Sequence, residues 1–209
     1  MIYISLEGNI GAGKSTLIKA LGDTAVIVDE PVQEWMDLKD SNGMSILELF
    51  YDDPYRYAYT FQHASMMTRT QKVDEAMARG YPEVLLSERS LVTDHEIFVK
   101  TLHKDGTLTD LEYQLYCMTL RMFIENRGVY PNAFIYIDTP PEVCLERIRK
   151  RARHGEERIT LRYLQKLHEA HKNWLDEPGA EFLPILQLKY DDPDMAQKIK
   201  DFVDVLKGI

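Results

Sequence analysis

The sequence predicts an α/β domain, a five-stranded parallel sheet with helices on both faces. Short apolar runs recur along the chain, separated by stretches of helical period. Several runs are apolar on both faces, as strands covered from both sides must be. The first run leads directly into Gly8-Asn9-Ile10-Gly11-Ala12-Gly13-Lys14-Ser15-Thr16, a phosphate-binding loop of the pattern G-x-x-x-x-G-K-[ST] set between a strand and a helix. Strands alternating with helices imply right-handed crossovers, and such a sheet gathers ligands at the carboxyl ends of its strands.

The strands are expected at residues 2–6, 25–28, 84–86, 133–137 and 185–188. Helices fill the gaps, beginning with 15–21 after the loop and a long polar–apolar helix over 57–79. Another spans 111–125 and stops at Arg127-Gly128. A fourth opens at Thr139-Pro140-Pro141-Glu142, where Thr139 is expected to cap, proline to take the first helical position and Glu142 to close a capping box. Apolar residues at helical spacing over 161–175 and 195–206 complete the pattern. No repeat or linker divides the chain, so residues 1–209 read as one domain.

A net charge of -9 argues against duplex nucleic acid as a partner. No stretch is apolar enough to span a bilayer, and Glu7 within the opening strand leaves no room for a leader peptide. Cys117 and Cys144 lack CxxC spacing and read as small apolar fillers. The expectation is a cytoplasmic protein with neither nucleic-acid nor membrane partners. His168, His171 and Trp174 read as packing within their helix; two histidines three apart make a weak metal site.

The glycines of the loop let backbone N–H groups turn inward around phosphate oxygens. Lys14 is expected to reach the β- and γ-phosphates of a nucleoside triphosphate, and the Ser15 hydroxyl to ligate Mg²⁺. Polar residues at the other strand ends converge on the same place. Glu30, directly after the second strand, is placed to take a proton from an attacking hydroxyl. Glu88, after the third, is a candidate for the metal, and Arg89 beside it can hold Glu30 and neutralise phosphate charge. Residues 147–158 concentrate arginines in an acidic chain and read as a lid; Arg147 and Arg151 share a helical face, and Arg153 lies beyond.

Taken in order, several stretches resemble the deoxynucleoside kinase family: E-G-N-I-G-A-G-K-S-T at 7–16, E-P-V-x-x-W at 30–35 and Y-x-x-P-x-R-Y-x-Y-T-F-Q at 51–62. They continue with E-R-S at 88–90, T-P-P-E-V-C-L-E-R-I at 139–148, R-A-R at 151–153 and Y-L-x-x-L-H-x-x-H-x-x-W-L at 163–175. The resemblance implies a P-loop kinase fold with an arginine-rich lid. It implies ATP-dependent phosphorylation of a deoxynucleoside 5′-hydroxyl in nucleotide salvage, with Glu30 as general base and Arg89 as its partner. Ser15 and Glu88 would belong to the Mg²⁺ site. Tyr51 would hold the sugar 3′-hydroxyl, Gln62 would pair with the base, and Ile10, Trp35, Leu47, Phe50, Phe61 and Phe98 would complete the acceptor pocket. Arg147, Arg151 and Arg153 would be lid arginines, with Arg147 near the adenine of ATP. Homodimers formed through helix packing are expected on the same ground.

A flipped amide presents donor and acceptor in either order, so Gln62 alone leaves thymine open. Arg69 and Asp94 resemble the pair found in the deoxycytidine and deoxyguanosine kinase branch. A carboxylate held by an arginine accepts from the amino group of cytosine or adenine, where thymine has a carbonyl and a methyl. Deoxycytidine and purine deoxynucleosides are therefore favoured; a thymidine or multisubstrate kinase is the alternative. A nucleoside monophosphate kinase or a non-catalytic subunit fits less well, because a carboxylate faces the acceptor and Lys14, Glu30 and Arg89 are all present.

The sequence departs from the family pattern twice. His154-Gly155 adds a residue before Glu156-Glu157, and of the two, Glu157 is expected to take the sugar-contacting role. The loop at Tyr190-Asp191-Asp192-Pro193-Asp194 lacks a clear adenine-stacking aromatic, which leaves the choice among triphosphate donors open.

Overall fold

In the computed structural model, β1 (Ile2–Gly8) runs into a glycine loop and α1 (Lys14–Lys19), and β2 (Val26–Val28) follows. Residues 1–80, 82–127, 130–176 and 183–208 are described. After β2 come α2 (Val32–Asp37), α3 (Ile46–Asp52) and the long α4 (Pro54–Ala78). β3 (Val84–Glu88) leads to α5 (Leu91–Thr93), a π-helical turn (Asp94–Val99) and α6 (Lys100–Lys104). Then follow α7 (Asp110–Arg127), β4 (Ala133–Asp138) and α8 (Pro141–Arg151). A 3₁₀ turn (Glu156–Arg158), α9 (Leu161–Asp176), β5 (Ile185–Lys189) and α10 (Met195–Lys207) complete the order.

All five strands are parallel, in the order β2-β3-β1-β4-β5. The strand period of two assigns each side chain its face. Ile4 and Leu6 pack with Ile18 of α1 and Ile199 and Val203 of α10. Tyr3 points the other way, to Val73 of α4, and Phe134 of β4 meets Leu167 and Trp174 of α9. Glu7 shares the face of Tyr3, and its carboxylate accepts from Thr93 in α5. The chain turns to one side of β1 for β2 and β3 and to the other for β4 and β5. The resulting switch point lies at the carboxyl end of β1, where crevices form in open α/β sheets.

The expected strands are all present, and four run further than hydrophobicity indicates. Polar ends still join the ladder, as Leu6↔Glu88 and Asp138↔Lys189 show, because pairing is a property of the backbone. α4 starts three residues ahead of 57, with Pro54 in its first turn and the Asp53 carboxylate accepting from Arg56 N at 3.2 Å. The capping box expected at Thr139 does not form. Pro140 is the N-cap of α8 and makes no side-chain cap; the Thr139 hydroxyl instead donates to Ala12 O at 3.3 Å, tying β4 to the loop. Gly128, the expected stop of α7, lies outside the described residues. No helix among the described residues is long and apolar enough to cross a membrane.

Candidate active site

A cavity of about 710 Å³ opens at the carboxyl ends of β1, β2 and β3. Its floor is the loop itself. Gly11 and Gly13 take positive φ values of 78° and 100°, which turn residues 11–16 around the cavity. Lys14 is buried, and its Nζ donates to the carbonyls of Gly8 at 3.1 Å and Asn9 at 2.9 Å. Burial, then the charge of Arg89, lowers its pKa to about 8, opposed by Glu88, Glu30 and Glu7. Gly8 and Asn9 support the loop without lining the cavity; Asn9 Nδ2 donates to Leu164 O of α9 at 2.8 Å.

Above the loop lies a cluster of charges drawn from four segments. Glu30 follows β2, Glu88 ends β3 with Arg89 directly after it, Asp94 opens the π-helical turn and Arg69 comes from α4. Arg69 Nη2 donates to Glu30 Oε1 at 2.8 Å, and Arg89 Nε lies 3.3 Å from the same oxygen. Burial alone would raise the Glu30 pKa, but Arg69, then Arg89 and Lys14, outweigh it and hold the carboxyl down at about 2. Asp94 accepts from Arg69 Nε and from Ser65 Oγ; burial pushes its pKa up while Arg69 resists. The pair is buried, Asp94 being 2% exposed, so it is no surface ion pair. Glu30 is thus held first by Arg69, with Arg89 as the longer contact, a division of labour that the E-R-S motif does not reveal.

Aromatic rings wall one side of the cavity. Phe50 of α3 stacks on Phe61 of α4 at 4.7 Å, and Trp35 of α2 meets Phe61 edge-on at 5.2 Å. Arg89 lies over Phe98 at 4.7 Å. Ile10, Leu47, Tyr51 and Gln62 line the same space, and burial raises the Tyr51 hydroxyl pKa well above its usual value.

Arginines of α8 and of the turn after it border the opposite side. Arg147 Nη1 donates to Ala12 O at 2.8 Å, and its guanidinium lies over the Tyr190 ring at 5.7 Å. Arg151 makes a forked contact with Glu156 at 2.8–3.1 Å, and Arg153 bonds Glu156 Oε1 at 2.8 Å. Glu156, not Glu157, therefore faces the cavity; Glu157 is exposed. Gly155, with a φ of 88°, turns the chain directly before Glu156. The same segment reaches α3 through a His154–Glu48 contact and an Arg158–Asp52 ion pair.

Tyr190 lines the cavity beneath the Arg147 guanidinium. Its position directly after β5 is the signal that would have found it. Ser65 and Tyr163 line the cavity too, and helical periodicity alone does not separate them from core. His171 packs its ring on Tyr136 at 5.5 Å and bonds Leu167 O through Nδ1 at 2.6 Å.

Ser15 at the start of α1 and Glu88 at the end of β3 present a hydroxyl and a carboxylate to the same cavity. Among the described residues no group of three or more His, Cys, Asp or Glu is gathered to hold an ion. Two hard oxygen donors suit Mg²⁺, which keeps several waters and takes its remaining ligands from substrate phosphates.

The family model described as deoxynucleoside kinase matches residues 4–209. The chain is 37% identical over 204 residues to a probable deoxycytidine kinase of fowlpox virus (strain NVSL), covering 96% of this chain and 80% of that protein. It is 33% identical over 215 residues to the mitochondrial deoxyguanosine kinase of Xenopus laevis, covering 90% of this chain and 81% of the relative. Against human deoxycytidine kinase the figures are 29% over 238 residues, 97% and 91%.

Proposed function

Because the chain belongs to the deoxynucleoside kinase family, we propose that its cavity transfers the γ-phosphoryl group of ATP to the 5′-hydroxyl of a deoxynucleoside, in nucleotide salvage. One observation carries the assignment of roles: an ionised carboxylate, Glu30, held by two arginines, shares a cavity with the phosphate loop. The acceptor oxygen bonds to the γ-phosphorus as the bridging β–γ P–O bond breaks, and the hydroxyl proton passes to Glu30. A carboxylate of pKa about 2 is a weak base, so the proton moves late, once bonding to phosphorus has made the hydroxyl acidic. Lys14, Arg147, Arg151 and Arg153 surround the donor phosphates. Ser15 and Glu88 would hold Mg²⁺, which would supply charge neutralisation to the donor phosphates. Tyr51 and Glu156 take the sugar, and Gln62 the base.

Asp94 and Arg69 favour deoxycytidine and purine deoxynucleosides over thymidine, because Asp94 is a buried acceptor facing the base pocket. The related deoxycytidine and deoxyguanosine kinases support that choice. Residues 1–209 act as one kinase domain in this scheme. Two free cysteines, Cys117 and Cys144, suit the reducing cytoplasm, and the chain works as a homodimer without nucleic acid or membrane.

Radiolabelled ATP offered with each of the four deoxynucleosides tests the reaction and the base preference together. We expect deoxycytidine or a purine deoxynucleoside to lead. Glu30→Ala is expected to lower kcat by roughly 10²–10⁴ while ATP still binds. Near-normal turnover in that variant removes Glu30 as base, and use of monophosphates alone as acceptors removes the kinase assignment.

A further inference from the structure

Arg69 divides one guanidinium among three partners. Nε donates to both oxygens of Asp94 at 2.9 and 3.1 Å, Nη1 to the Glu88 carbonyl at 2.8 Å and Nη2 to Glu30 Oε1 at 2.8 Å. The group is planar and conjugated, so these directions are fixed relative to one another. Its side chain is 7% exposed, and the Trp35 ring lies 5.4 Å away, which leaves it little room to slide.

The two carboxylates it joins differ in how firmly they are held. Asp94 stands in a helical segment and receives a further bond from Ser65 Oγ at 3.0 Å. Glu30 follows a three-residue edge strand, and its side chain is 20% exposed. Arg89 attracts the same Glu30 oxygen from 3.3 Å, yet Arg89 Nε makes no hydrogen bond among the described residues. The directional bond on Glu30 therefore comes from Arg69.

We infer that Arg69 is a positioning residue that ties the base edge of the acceptor, through Asp94, to the Glu30 carboxylate that receives the hydroxyl proton. The inference rests on the kinase reading of Glu30 and Asp94. A base that bonds Asp94 fixes the plane of Arg69, and that plane sets where Glu30 Oε1 points. Base identity is then expressed in turnover as well as in binding. A purely structural ion cluster would alter stability, or weaken all acceptors alike, without this link.

The test is a double-mutant cycle on the full chain with ATP, Mg²⁺ and deoxycytidine, reading kcat and KM separately. Arg69→Lys keeps the buried charge but lacks the fork, and Asp94→Asn keeps the shape but loses the charge. Each is expected to lower kcat by about 10- to 100-fold, the scale of a small misplacement at a reacting group. Because the residues act as one unit, the double variant should lose little more than the worse single variant. A KM rise with kcat within twofold, or kcat losses that multiply, overturns the inference. If Arg69→Lys does not fold, an unchanged kcat in Asp94→Asn overturns it as well. Wild-type protein that phosphorylates no deoxynucleoside would instead overturn the kinase reading, so the two failures are separable.

Discussion

His171 illustrates how a single buried ring sets a pH dependence. Its Nδ1 faces the Leu167 carbonyl, which fixes the proton there and leaves Nε2 buried without a hydrogen-bond partner among the described residues. Burial, then the charge of Arg89, pushes the imidazole well below its ordinary 6.5. The unfolded chain takes up a proton near that value and the folded chain does not. Stability is therefore complete above about pH 6.5 and declines as pH falls, by up to about 1.4 kcal/mol per pH unit for this group. His171→Phe keeps the ring on Tyr136 and removes the titration, so thermal melts at pH 7 and 5.5 should differ less in Tm than for wild type. An equal difference would exclude His171 as a source of the slope. At this scale the sequence was legible in composition more than in wiring. Glu30, Arg69, Arg89 and Asp94 are visible as candidates, but which arginine bonds which carboxylate depends on an α4 residue far along the chain. The positive φ of Arg89, 67°, was not legible either; Ser87 Oγ donating to Arg89 O at 2.6 Å accompanies it.

α8 approaches the phosphate loop closely at Gly11. A Cβ added at Gly11 would sit 2.6 Å from Cys144 O and 3.0 Å from Ile148 Cγ1, and the residue's φ of 78° already disfavours a side chain. Gly11→Ala must strain the loop or displace α8, at a cost of about 2–4 kcal/mol from left-handed backbone and overpacking. Urea denaturation should record the loss, and calorimetry should show ATP affinity falling with it. Unaltered stability and binding would mean that the contact is not maintained in solution. Long helices were readable from periodicity, whereas the short helices α2, α3, α5 and α6 were not. The α3 capping box obeys the S-x-x-E spacing, with Ser45 N bonded to Glu48 at 2.7 Å, but its helix of seven residues is too short for a 3.6 period to register. The π-helical turn at Asp94–Val99 has no spacing signature, yet it delivers Asp94.

For the whole molecule, alternation of strand and helix was enough to foresee a parallel sheet, while strand order came only with the structure. The surface carries one further pattern. Leu111, Leu115, Met118 and Met122 of α7 are 49–71% exposed and repeat at intervals of four, three and four, which places them on one stripe. Such a face suits helix packing between two copies. Sedimentation should give a dimer, and Leu115→Lys with Met118→Lys should shift it to monomer; a wild-type monomer at micromolar concentration would refute the proposal. The place of β1 has a last consequence. It lies third of five strands, bonded to β3 on one side and β4 on the other, and the phosphate loop is its direct continuation. Fraying begins at the margins of a sheet, so β1 opens only with the core of the domain. In deuterated water its amides should be among the last to exchange, and nucleotide affinity should persist under mild denaturant until the entire domain melts at once.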